Sequence, residues 1–146
     1  MQTGKCLDLS FLATQSKASA GVARISQDLE AQGLPAPWAG DVKIALAEAI
    51  NNVVEHAYAG LAPAKVEIRC RLHKTWLDVL ITDTGNPLPG LCIPDGILAP
   101  LGSTLSELPE GGFGWFLIHE LTSEIRYERS NGRNRLSLRF DFVQTV

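Results

Sequence analysis

Three groups of residues have the types and spacing to carry chemistry. The first is Glu48, Asn52 and His56, set four residues apart in a stretch whose apolar positions Ile44, Ala47, Ile50, Val54 and Ala57 recur with a helical period. On an α-helix each step of four residues turns only about 40°, so the three side chains share one face and can address one ligand. A carboxylate there can take a proton from a hydroxyl or water, and an amide oxygen is a hard, neutral ligand suited to Mg²⁺ bridging phosphates. Asn51 competes as the metal ligand, but it lies about 100° from Asn52 and away from the face of Glu48. Alone, the spacing also describes the solvated side of an amphipathic helix.

The second group is Asp83-Thr84-Gly85, closing an apolar alternating run. A carboxylate fixed there can accept from an exocyclic amine, and glycine lets the backbone approach a flat ring. The same three residues also make an ordinary turn. The third is Gly111-Gly112-Phe113-Gly114, which opens an apolar helix through Trp115, Phe116, Ile118 and Leu121. Free amides and the positive end of a helix favour phosphate there. The spacing is neither a P-loop nor a Rossmann fingerprint, and it also suits a lid hinge.

Singly these motifs are weak; their order is specific. Helix-borne Glu-x3-Asn-x3-His, then a strand ending in Asp-x-Gly, then a long loop and a glycine-rich helix start resembles the Bergerat-type ATP-binding fold of gyrase, Hsp90, MutL and histidine kinases. Within it the chain is most similar to the anti-sigma regulatory serine kinases. The stretches 48–58 and 110–118 resemble that family's N-box and glycine box, and Asn131-Gly132-Arg133-Asn134 before an alternating last strand resembles its ending.

The resemblance implies ATP and Mg²⁺ as cofactors, with Glu48 as general base, Asn52 as the Mg²⁺ ligand and Asp83 as the adenine-reading carboxylate beside Gly85. His56, Gly111, Gly112, Phe113 and Gly114 would complete the nucleotide site. It further implies a protein serine/threonine kinase that phosphorylates a small anti-sigma-antagonist (STAS-type) protein and sequesters a sigma factor, as a cytoplasmic homodimer. One departure bears on transfer: Gly111 stands where many relatives carry arginine, and Lys74 is the only cation between Arg71 and Arg126. Ser103 and Thr104 offer hydroxyls in that interval. A module that binds ATP and switches partners without transfer is therefore the alternative. A histidine-kinase or gyrase-like ATPase would need a phospho-acceptor helix pair or a transducer domain, for which the chain lacks room.

The elements that must position these groups can be read from periodicity. Leu7, Leu9 and Phe11 alternate as a strand; Val22, Ile25 and Leu29 mark a helix over about 16–32 with Gly33 at its C-terminal end. The prolines and glycine of 33–38 break it, and the second helix is expected over about 41–58. Val66-Ile68-Cys70 and Leu77-Val79-Ile81 predict two neighbouring strands, the second ending at Asp83. Residues 84–110, with five prolines, predict a lid. Two strands, about 124–130 and 135–142, flank the tight-turn pair Asn131-Gly132. Mostly hairpin connections favour an α+β fold, a two-layer sandwich of a largely antiparallel sheet with helices on one face.

At 146 residues one domain over 1–146 is expected. A net charge of −3 gives no basic footprint for nucleic acid. Cys6, Cys70 and Cys92 are odd in number and far apart, which argues against a disulfide framework or a zinc site and fits a reducing cytosol. No run approaches the roughly 18 apolar residues of a membrane span. His73 and His119 lack spaced partners, Trp115 and Phe116 read as core, and Trp38, beside two prolines, is a candidate for an exposed partner surface.

Overall fold

Alternating apolar residues become strands whose two faces meet different surroundings. In the computed structural model, which describes residues 4–94 and 112–142, β2 (Lys65–Leu72) buries Val66, Ile68, Cys70 and Leu72 and leaves Lys65, Glu67, Arg69 and Arg71 exposed. The same period runs through β1 (Lys5–Leu12), β3 (Trp76–Asp83), β4 (Glu124–Ser130) and β5 (Arg133–Asp141). They form one antiparallel sheet in the order β1-β2-β3-β5-β4. Because β5 lies between β3 and β4, Asp83 at the end of β3 faces Asn134 across the strand pair.

The buried face is covered by α1 (Gln15–Ala31), α2 (Ala36–Asn52) and α3 (Gly112–Leu121). Ile25 and Leu29 of α1, Leu46 and Ile50 of α2 and Ile118 of α3 are buried with Leu77, Ile81, Leu138 and Phe140 of the sheet in one core. Each such side chain contributes about 1.5–3 kcal/mol on leaving water. This is the expected α+β sandwich. All three cysteines are free; burial pushes the Cys70 thiol up to about 12, so it stays neutral in the core. Among the described residues no helix is long and apolar enough to cross a membrane.

Gly33 ends α1 as anticipated. Its φ is +111°, and Leu34 N–H reaches Leu29 O at 2.9 Å while Gly33 N–H reaches Glu30 O at 3.2 Å, the paired bonds of a Schellman cap. Asn131 and Gly132 likewise both take positive φ in the β4–β5 turn.

Two helix boundaries differ from the periodicity. α2 starts at Ala36, not near Asp41, because Pro37 falls in its first turn, where the missing N–H has no intrahelical partner to lose. At the other end α geometry stops at Asn52, and Val53–Ala57 form a π-helical turn closed by Tyr58 N–H to Val53 O at 3.2 Å. The periodicity to Tyr58 hid this wider turn. It breaks the common face assumed for Glu48, Asn52 and His56 at its last member. Beyond β3 the described start of the expected lid contains a short 3₁₀ turn at Pro89–Leu91; Ser103, Thr104 and Gly111 lie outside the described residues.

Candidate functional site

The C-terminal half of α2 and the start of α3 meet around Gly114. A Cβ built on Gly114 would stand 3.0 Å from Glu48 Oε2 and 3.7 Å from both Asn52 Nδ2 and Asn52 Oδ1. Glycine at 114 thus leaves the space into which Glu48 and Asn52 both point. Among the described residues Asn52 Nδ2 is buried and has no hydrogen-bond partner, a costly state for an amide unless a ligand completes it. An acid oxygen, an unengaged amide and a helix start fit a metal-bound polyphosphate: Asn52 offers an amide oxygen to a hard cation, and the start of α3 offers backbone N–H groups. Gly112 begins α3, followed by Phe113.

His56 does not join them. It is exposed on the π turn, and the nearest neighbours of Gly114 are atoms of Glu48 and Asn52 alone.

The other end of the site is built on β3. Asp83 is 3% exposed, with Gly85 N–H donating to its Oδ1 at 2.8 Å and Asn134 Nδ2 donating to the same atom at 2.9 Å. Among the described residues Oδ2 receives no hydrogen bond, so it is the atom left to accept from a ligand. Burial pushes the Asp83 carboxyl above its ordinary range, while the bonds from Asn134 and Gly85 and the Arg129 charge pull the other way.

Gly85 is required here by contact, not by φ. A Cβ on it would lie 2.5 Å from Ala57 O, because the turn after β3 sits directly on the end of the π turn. Asn86 N–H donates to Ala57 O at 2.6 Å, and Tyr58 Oη accepts Thr84 N–H at 3.1 Å. The π turn therefore carries the chain from Asn52 at one end of the site to the Asp83 turn at the other.

Four residues of this wall were given no role in the motif reading: Tyr58 and Asn134, which fall inside the stretches that carry the resemblance, and Tyr127 and Arg129, which fall outside them. Asn134 had a visible signal, since it occupies the inward register of Leu136, Leu138 and Phe140 and is nevertheless polar. Arg129 occupies the inward register of Ile125 and Tyr127 on β4 in the same way. Its Nη1 donates to Gly85 O at 2.6 Å, which ties this cation to the Asp83 end.

Comparison with known proteins agrees with this geometry. Residues 11–140 match the family described as histidine kinase-like ATPase domain. Serine-protein kinase RsbW of Bacillus subtilis is 33% identical over 97 residues, and RsbW of Bacillus licheniformis is 32% identical over 94; each match covers 63% of this chain. The chain spans 58% of the length of either relative. Among solved structures, that of the RsbU and RsbW domains of a Mycobacterium tuberculosis protein superposes with a TM-score of 0.65 at 19% identity, covering 94% of this chain and 32% of that one. The SiaB-SiaC complex of Pseudomonas aeruginosa gives 0.54 at 18% identity, covering 90% and 88%. At such identities the structural likeness speaks for the fold alone. With the family match running over residues 11–140 and the same α+β sandwich, the chain belongs to the family of histidine kinase-like ATPase domains.

Proposed function

We propose that the chain is an ATP-dependent protein serine/threonine kinase of the anti-sigma type, acting on a small STAS-type antagonist and also capturing a sigma factor, as a homodimer in the cytoplasm. The observation that carries the reading is the convergence of Glu48 Oε2 and, among the described residues, the unpartnered Asn52 amide on Gly114, together with a buried Asp83 whose Oδ1 alone is bonded there. The RsbW relatives are named serine-protein kinases, which supports the choice of reaction.

Asp83 Oδ2 accepts from the exocyclic amine of the base, with Gly85 backing the ring. Asn52 would hold Mg²⁺, which when bound would neutralise phosphate charge. The backbone of Gly112 and Gly114, with Gly111 before them, holds the phosphates. Glu48 orients the attacking serine hydroxyl and takes its proton. Phosphoryl transfer asks for little more than this positioning and charge compensation. His56 and Phe113 are assigned no chemical step.

Glu48→Gln keeps the shape and removes the base. Transfer from Mg-ATP to the antagonist, followed with labelled γ-phosphate, should fall by about 10²–10⁴ while Mg-ATP affinity stays near the parent's. Transfer at the parental rate would sink Glu48 as base. The second reading, ATP binding and partner switching without transfer, is favoured by the scarcity of cations between Arg71 and Arg126. Its signature is a parent protein that transfers nothing, yet in which ATP raises antagonist or sigma affinity and the partner raises ATP affinity by the same factor.

A further inference from the structure

Asp83 and Asn134 are the buried polar residues of the described core, at 3% and 5% exposure, and they are bonded to each other. Asn134 is saturated. Its Oδ1 accepts from Tyr127 Oη at 2.6 Å and Arg129 Nη1 at 3.1 Å; its Nδ2 donates to Asp83 Oδ1 at 2.9 Å and Asn86 O at 2.9 Å, with Gly85 O at 3.4 Å. An amide with both ends engaged cannot swing, so its donor stays aimed at Asp83. Behind it, Arg129 also holds Gly85 O, and Tyr127 Oη accepts Leu88 N–H at 3.0 Å. One hairpin, β4–β5, thereby fixes both the reading carboxylate and the backbone that follows it.

We propose that Asn134, backed by Arg129 and Tyr127, is a positioning residue that determines base selectivity. It holds Asp83 as an oriented acceptor, which favours a purine bearing an exocyclic amine at the contact position over one bearing a carbonyl there. The inference rests on the reading that Asp83 contacts the base. A carboxylate with Oδ1 occupied presents one acceptor, Oδ2, to the ligand. An amine donates to it; a carbonyl oxygen meets it lone pair to lone pair, leaving two desolvated acceptors unpaired. If the support is removed, the carboxyl can rotate or take a proton and offer a donor to the carbonyl, and the discrimination collapses from both sides. The hydrogen bond from Asn134 and the charge of Arg129 both favour the ionised form against the effect of burial, in keeping with this role.

The test is direct binding of ATP and GTP to the full chain, with the side-chain carbon resonance of Asp83 followed against pH without nucleotide. The parent should prefer ATP. Asn134→Ser and Arg129→Gln should each lower the ATP-to-GTP preference about tenfold, and the Asp83 titration should move to higher pH in both. Arg129→Lys, which restores the charge without the planar fork, should recover part of the preference. Arg129→Gln decides the matter if Asn134→Ser does not fold, because Arg129 is only partly buried. Equal weakening of both nucleotides with an unmoved Asp83 titration would reduce the cluster to a structural role and overturn the inference. A parent that binds ATP and GTP equally would instead remove the base-reading role of Asp83, and this inference with it.

Discussion

The two ends of the site are built on opposite plans. Around Asp83 the polar atoms other than its Oδ2 are bonded before any ligand arrives, through Gly85, Asn134, Arg129, Tyr127 and Tyr58. Around Gly114, among the described residues, Asn52 Nδ2 is buried without a partner and Glu48 Oε2 receives no side-chain hydrogen bond. The difference teaches where each kind of energy sits. A pre-bonded wall contributes to folding and, on the proposed function, would read a rigid base at little cost in reorganisation, whereas an unsatisfied pair contributes little to folding and would gain its partners only with phosphate and metal.

The largest effect that sharpens this contrast is on binding at the base end. Asp83→Asn can still accept from Gly85 and Asn134 on its oxygen, but it turns an NH₂ donor toward the amine of the base. ATP affinity should fall by about 100-fold in calorimetry while the fold persists. The pH dependence has a definite sign. Because burial raises the folded-state value of Asp83, its neutral form favours the fold at low pH, and that contribution is lost as pH rises through the raised value. The melting temperature of Asp83→Asn should therefore gain on the parent's with rising pH across the acid range, then run parallel to it. A gap that shrinks with rising pH would contradict the assignment.

Next comes Gly85→Ala. The new methyl meets the carbonyl of Ala57, a backbone atom that cannot step aside, so unfolding in denaturant should show a loss of about 2 kcal/mol, with weaker nucleotide binding. Tyr58→Phe leaves Thr84 N–H without its phenol acceptor and should cost about 1 kcal/mol in the same measurement. The smallest stability change belongs to the phosphate end: Asn52→Ala removes an amide whose N–H groups are unpaid in the free protein. Its stability should stay within about 0.5 kcal/mol of the parent's, while Mg²⁺ ceases to strengthen nucleotide binding. A loss as large as that of Gly85→Ala would erase the distinction between the two ends.

What could be read without coordinates follows the same division. The α+β sandwich, all five strands and the Gly33 and Asn131-Gly132 punctuation were legible because each rests on local alternation or turn chemistry. The approach of Glu48 and Asn52 to Gly114, and of Gly85 to Asp83, involves residues that spacing and chain order had already singled out. The π turn was not legible, since Ile50, Val54 and Ala57 fit an α period equally well and the wider turn is selected by docking of Gly85 and Asn86 on Ala57. The role of Asn134 was hidden for another reason. Its inward register marks it as unusual, but only the insertion of β5 between β3 and β4 brings it to Asp83.

That insertion also sets a timetable. Asp83 and Asn134 are 51 residues apart in the chain, so at about 5–20 residues per second a ribosome adds the second roughly 3 to 10 s after the first. Until then β3 lacks its neighbour and Asp83 its orienting amide. The Asp83 end of the site is thus completed only once β5 has been made, and a nascent chain ending before β5 has the α2 carboxylate and amide but lacks the amide that orients Asp83.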